Sequence, residues 1–111
     1  MIIHKNKWAL GETHNIILED GAAIVRVSVY NDDPKTAWIF NVSVIEERRG
    51  EGLGDKILEL AEKEAHEMGA TTVKLSVEED LWCKDWYKRK GYVFEDYMVE
   101  FKGEILLKNL E

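Results

Sequence analysis

Proline occurs once in this chain, at Pro34, and cysteine once, at Cys83. With one proline, no low-complexity stretch and no internal repeat, nothing reads as a linker, and residues 1–111 are expected to form a single domain. A lone cysteine excludes an internal disulfide and fits a reducing compartment. No stretch, the opening residues 1–15 included, is long and apolar enough for a signal peptide or a membrane span. Basic residues are also in deficit. Fifteen Lys and Arg against 22 Asp and Glu give a formal charge of −7, which argues against nucleic acid and against an anionic membrane as partners. The balance still leaves room for a local basic pocket around a phosphorylated ligand. His4, His14 and His66 are too scattered for a metal site, and no Cys/His spacing supports zinc, so no metal is expected. The expectation is a cytoplasmic, acidic domain with enough apolar residues (45%, four of them Trp) to build a core.

The periodicity divides the chain. The first ten residues suit a short edge strand. Asn15 to Glu19 is an apolar run, and Asp20-Gly21 predicts a two-residue hairpin turn. Ala23 to Tyr30 alternates, with Val25, Val27 and Val29 on one face and Arg26 and Ser28 on the other, which predicts a half-buried antiparallel strand. Asn31 to Lys35 reads as a turn. Thr36 to Ile45 is apolar on both faces, as for a central, covered strand. From Leu53 the period becomes helical: Leu53, Ile57, Leu60, Ala61, Ala65 and Met68 form a stripe, with Lys56, Glu59, Glu62, Lys63 and Glu67 opposite and Gly69 as the stop. His66 falls on the solvated side. Thr72 to Val77 alternates again, a second helix runs from a cap at Asp80 to Lys90 before Gly91, and Tyr92 to Phe101 with Glu104 to Leu110 form a closing hairpin. That order predicts a mixed α/β domain, with two main helices packed on a mostly antiparallel central sheet.

The segment from Val44 to Gly54 carries the most chemistry. A buried strand runs into Gly50, Gly52 and Gly54, and a helix starts at once. Glycines there let the backbone approach a ligand, and the unpaired N–H groups of a helix start suit a phosphate or pyrophosphate. The spacing alone is equally compatible with a plain strand-to-helix turn. It matches neither the dinucleotide fingerprint nor a Walker loop.

Arg49-Gly50-Glu51-Gly52-Leu53-Gly54 resembles the Arg/Gln-x-x-Gly-x-Gly pyrophosphate loop of the GNAT N-acetyltransferase superfamily. The strand Ala37 to Val44 looks like that family's fourth strand, particularly in ribosomal-protein N-terminal acetyltransferases. Asp80 to Tyr92 is similar to its Asn-x-x-Ala-x-x-Leu-Tyr-x-x-x-Gly-Phe helix. The resemblance covers Thr36 to about Leu110. It implies the acyl-CoA N-acyltransferase fold and acetyl-CoA as co-substrate. It implies that Val42 and Val44 offer backbone groups to the pantetheine arm. The amides of Arg49, Gly50, Gly52, Leu53, Gly54 and Asp55 would hold the pyrophosphate. The Val44 amide would face the thioester oxygen, and the Tyr87 hydroxyl would protonate the departing thiolate. A helix position such as Tyr87 otherwise reads as core; here the neighbouring Trp86 is expected to fill the core position, leaving Tyr87 for chemistry.

The departures matter as much. Asp80 stands where the family has Asn, and reads as a helix cap. Cys83 replaces Ala and reads as packing, not as a nucleophile. Strands 36–45 and 72–77 hold no Asp or Glu where relatives often place a general base; Ser76 stands at one such position. Glu78, Glu79 or a water held by Asn41 or Ser43 are the alternatives. Trp82 is expected in the core, and the acidic runs Glu46-Glu47 and Glu78-Glu79-Asp80 in solvated loops, where they would attract a cationic amine if they flank the acceptor mouth. The residues before Asn15 are too few for the family's usual helix pair, so the acceptor side is expected to be open or completed by another chain, as in a homodimer. Two functions follow: transfer of an acetyl group to an unidentified primary amine (a small molecule or a peptide N-terminus), or a non-catalytic module that binds CoA or acts through protein contacts.

Overall fold

The computed structural model of the chain describes residues 1–78 and 83–110. Seven strands form one sheet: β1 (Ile2–Trp8), β2 (Gly11–Leu18), β3 (Ala23–Tyr30), β4 (Asp33–Val44), β5 (Thr72–Glu78), β6 (Val93–Met98) and β7 (Gly103–Asn109). Among the described residues two α-helices pack with it, α1 (Leu53–Glu67) after β4 and α2 (Cys83–Arg89) after β5. The spatial order is β1-β2-β3-β4-β5-β7-β6, with β4 and β5 parallel and every other neighbouring pair antiparallel. The mixed α/β architecture is the one the periodicity predicts. No helix among the described residues is long and apolar enough to cross a membrane.

The core lies between α1 and one face of the sheet. Ile57, Ala61 and Ala65 of α1 are wholly buried, with Ile16, Val25, Val27 and Ala37 at or near zero exposure beneath them. Burying each large aliphatic side chain contributes about 1.5–3 kcal/mol, so this layer is the main source of stability. Gly69, at φ +96°, ends α1: its amide bonds the His66 carbonyl and the Ala70 amide reaches back to Ala65. His66 is exposed, as the helical stripe predicts.

Three expectations change. The β2–β3 hairpin is not a two-residue turn. Leu18 pairs with Ala23, so four residues form the loop, with Glu19, Asp20 and Gly21 all at positive φ. Leu18 and Ala22 are both buried, so core contacts set the register and override the Asp-Gly signal. The next strand begins earlier than predicted, at Asp33, inside the expected turn. Its turn is fastened instead by Asn31, which bonds the carbonyls of Leu10 and Ala9. Finally, β4 is central but covered on one face only. Ala37 and Ile39 are buried, whereas Trp38 and Phe40, facing away from α1, are half-buried. The cause is at the start of the chain, where β1 and β2 join through Ala9 and Leu10 and lay no helix on that face.

Candidate functional site

β4 and β5 are paired only from Thr36–Thr72 to Trp38–Lys74, and then part. Asn41, at φ +58°, sits in a bulge against β3 that bends the second half of β4 away. From Ile39 onward β4 therefore has no strand partner on its β5 side among the described residues. The hydrogen-bond alternation of the β3–β4 ladder shows what is exposed there. The Ile45 amide donates to the Ala22 carbonyl, which makes that a bonded pair, so Val44 at the next position directs its N–H and C=O away from β3. Val42, two residues back, shares that direction. Arg49 confirms it, because its Nε reaches the Val44 carbonyl at 3.3 Å across the opening.

The chain after β4 turns through Glu46–Arg48 and enters α1 at Leu53. Gly50 and Gly52 have φ of +85° and +82°, and Gly52 is the left-handed cap of α1. A Cβ on either would meet nothing within 4 Å, so the turn presents bare backbone to open space. The first hydrogen bond of the helix runs from the Lys56 amide to the Gly52 carbonyl. The amides of Gly50, Gly52, Leu53, Gly54 and Asp55 donate to no carbonyl of the described residues, and they carry the partial positive charge of a helix start. The Arg49 amide differs: it closes the preceding turn onto the Glu46 carbonyl at 3.2 Å. Arg48 is held by Glu19 and Glu51, so its charge is neutralised locally.

These elements line one cleft of about 500 Å³. Val42, Val44, Arg49, Gly50, Gly52, Leu53, Gly54, Asp55 and Tyr87, all singled out from the sequence, meet there, with Ser43, Arg48, Cys83 and Trp86 completing the walls. The Asp55 carboxylate is turned onto Lys90 at 2.8 Å, and the hydrogen bond from that ammonium holds its carboxyl below the usual range. Lys90 also lies over the Trp86 ring.

Tyr87 comes from α2 and is 9% exposed, wedged edge-on between Trp86 and Tyr92. Its hydroxyl makes no hydrogen bond with the described residues. Burial, with a smaller push from Cys83, raises its pKa to about 12, so the phenol keeps its proton at neutral pH. Trp86 does not fill the core position expected of it: Tyr87 is the more buried of the two, and Trp86 is the partly exposed wall against Gly54. A tyrosine can both pack and line a cleft, since it joins an apolar ring to a polar tip, and Tyr87 is among the residues that line this one. Cys83 is half-buried, and burial pushes its thiol pKa up, which suits packing and opposes nucleophilic use. Glu46, Glu47 and Glu78 are exposed, and Asn41, Ser43 and Ser76 are also exposed. Asp80, Glu79 and Trp82 lie outside the described residues, as does the expected start of α2.

Sequence reasoning missed one cluster. His14 is 4% exposed and Glu64 6%, and His14 Nδ1 lies 2.5 Å from Glu64 Oε2 while Nε2 lies 2.5 Å from Glu12 Oε2. It ties β2 to α1 outside the cleft. The signal was present: Glu64 stands on the apolar stripe, seven residues after Ile57, and His14 alternates inward with Ile16 and Leu18.

Comparison with known proteins agrees with this fold. A GNAT acetyltransferase of Elizabethkingia anophelis with acetyl-CoA bound superposes with a TM-score of 0.74 at 17% identity, over 90% of this chain and 76% of that one. Ard1 from Thermoplasma volcanium gives 0.70 at 18% identity, over 91% and 70%. The PaiA N-acetyltransferase of Thermoplasma acidophilum, in complex with coenzyme A, gives 0.72 at 16%, over 87% and 59%. These likenesses establish the fold. A rice protein (Oryza sativa subsp. japonica) named "Probable glycosyltransferase 6" is 31% identical over 97 residues, 86% of this chain but 20% of that protein. The chain thus spans a fifth of that relative, whose named activity is a property of the whole rice protein. The model of the Acetyltransferase (GNAT) family matches residues 3–92, which brings β1 to β3 into the match along with both motifs of the sequence resemblance, and ends before β6 and β7. The chain belongs to the GNAT acetyltransferase family.

Proposed function

We propose that this chain transfers an acetyl group from acetyl-CoA to a primary amine. The observation that carries the reading is the meeting of the bare-backbone turn Gly50–Asp55, the unpaired edge of β4 and the Tyr87 hydroxyl in one cleft. The residues fit acetyl-CoA as co-substrate. The unpaired amides from Gly50 to Asp55 suit a pyrophosphate, and the free backbone groups of Val42 and Val44 suit an extended amide arm, which would add to β4 as a further strand does. Bound there, acetyl-CoA supplies an activated acyl group.

The rest falls to the chain. The Val44 N–H points into the opening, where it stabilises negative charge developing on the thioester oxygen as the amine nitrogen bonds to the carbonyl carbon. The carbon–sulfur bond breaks, and Tyr87 gives its proton to the leaving sulfur. The surplus proton of the amine returns to Tyr87 or passes to water, so the exchange balances as amide plus free thiol. The described residues that line the cleft include no Glu, so the amine arrives neutral or loses its proton to Glu78 at the exposed end of β5, or through water near Asn41 or Ser43.

Thermal denaturation with acetyl-CoA tests the cradle. A ligand that binds only the folded state adds about 2.7 kcal/mol at a hundred times its Kd, a shift of several degrees. Gly52→Val should abolish the shift, since it sets a branched side chain at a positive φ in the open space facing the amides. A shift of equal size in the variant would refute the cradle. An amine panel read by free-thiol release tests the chemistry. A second reading, a CoA-binding module without turnover, is favoured by strands 36–45 and 72–77, which hold no Asp or Glu, and by the direct joining of β1 to β2 without helices. Binding without thiol release on any amine would establish it. We also propose a cytoplasmic homodimer, supported by the exposed Phe94, Val99 and Phe101 around edge strand β6; sedimentation giving only monomer at high micromolar concentration would count against the dimer.

A further inference from the structure

On the face of the sheet turned away from α1 lies a second hollow, of about 240 Å³, walled by Trp8, Thr13, Arg26, Ser28, Phe40 and Asn41. The Thr13 and Ser28 hydroxyls are already engaged, and Tyr30 adds a further aromatic wall. Trp8 Nε1 donates to Thr13 Oγ1 at 3.2 Å, and Thr13 Oγ1 and Ser28 Oγ share a hydrogen bond at 2.9 Å. Arg26 is different. Its Nε donates to Asn15 Oδ1 at 3.1 Å, which fixes the guanidinium plane, and its remaining N–H groups meet no carboxylate of the described residues. The surroundings explain why. The register places Asn15 and Phe40 directly opposite Arg26, and no Asp or Glu stands on this face of β1, β2 or β3. In a chain with 22 acidic residues, that leaves an oriented cation in a hollow with aromatic walls and no acidic residue among those that line it.

The hollow adjoins the cleft through β4. Asn41 lines the hollow and Val42 lines the cleft, at the bulge where β4 has parted from β5. Phe40, the partner of Arg26, stands two residues from Val42, with the bulge at Asn41 between them. A molecule seated on Arg26 therefore reaches the opening with a short chain.

We infer that the acceptor amine also carries an anionic group, a carboxylate or a phosphate, which Arg26 binds. The inference rests on the transfer reaction proposed above and narrows its acceptor to amino acids, short peptides and similar amino-anions. A polyamine, positive throughout, is repelled by Arg26; the exposed Glu46 and Glu47 that would attract it lie on the turn beyond β4.

The test uses 4-aminobutyrate, 6-aminohexanoate and glycylglycine, each against its own amide, with spermidine as the polycation and aminoethyl phosphate as the second anion. At fixed acetyl-CoA, at least one amino-anion should show KM about tenfold below that of its neutral counterpart, the scale of one charged hydrogen bond. Arg26→Gln should erase the preference and Arg26→Lys keep part of it, while the acetyl-CoA thermal shift stays unchanged in both. Calorimetric titration of the same probes onto the CoA-loaded protein supplies a readout free of turnover. Anion-selective binding lost in Arg26→Gln supports the inference even if no thiol is released, and it is then the transfer reaction alone that fails. Equal use or binding of anion and amide, a preference that survives Arg26→Gln, or spermidine as the favoured acceptor would overturn it.

Discussion

Strand β3 shows two proteins' worth of environment on one backbone. Its residues facing α1, Val25 and Val27, are 2% and 0% exposed; those facing the other way include Ile24 at 40% and the exposed Arg26. The first set holds the fold, because α1 lies over it. The second has no helix over it and is free to serve a ligand. Two hollows of this chain are divided in the same way, the bare-backbone cleft on the helical side and the hollow around Arg26 on the other, with the parting of β4 from β5 between them.

The largest difference should appear in stability. Ile57→Ala removes a wholly buried side chain of α1 and should cost about 2–5 kcal/mol, lowering the urea midpoint sharply. Ile24→Ala, at 40% exposure on the open face, should cost about 1 kcal/mol or less. Equal losses would break the comparison, because they would mean that the second face is covered in solution.

The next effect belongs to chemistry. Tyr87→Phe keeps the ring that packs against Trp86 and Tyr92 and removes only the hydroxyl, so folding and acetyl-CoA binding should survive. Turnover should fall roughly 10–100-fold, and more in kcat than in KM, because the proton is needed chiefly in the transition state. With its pKa raised to about 12, Tyr87 stays protonated and should add no basic limb to the rate profile between pH 7 and 10. A variant that matches the wild type on a good acceptor would make Tyr87 a packing residue only.

How much of this was legible depends on which side a residue faces. The covered face was read well, since alternation in β3 and the stripe of α1 report burial against a partner that is present. The cleft was read from glycine spacing and from the resemblance. What failed was what periodicity does not encode. The second face of β4 looked covered because Trp38 and Phe40 are apolar, although the helices that would cover it are absent. The Asp20-Gly21 signal lost to the burial of Leu18 and Ala22. Tyr87 and Trp86 exchanged degrees of burial because the angle of a short helix is fixed by its neighbours. The pairing of Glu64 with His14 joins residues fifty apart in the chain, and a carboxylate on an apolar stripe was its only local trace.

That cluster gives the smallest effect, and it belongs to the covered face alone. Both ring nitrogens of His14 lie against carboxylate oxygens, and a neutral imidazole has a single N–H to donate. The contacts are therefore all satisfied when His14 is an imidazolium between two carboxylates, or when one of the two acids keeps its proton. Glu12 is the more exposed acid, and the hydrogen bond with His14 holds its carboxyl below the ordinary value, against a smaller opposing effect of burial. A group whose folded pKa is depressed stabilises the fold above its unfolded pKa, near 4.5, and that contribution disappears as pH falls through the lower, folded value. Melting temperature should accordingly decline as the solution is acidified below about pH 4.5, and Glu12→Gln should flatten that part of the decline. At neutral pH the same variant should lose on the order of 1 kcal/mol or less, since Glu12 stands at the solvent-facing end of the cluster. His14→Gln sharpens the point, because it removes the partner and should flatten the same acid limb. An acid limb unchanged in both variants would show that the cluster acts only through packing between β2 and α1.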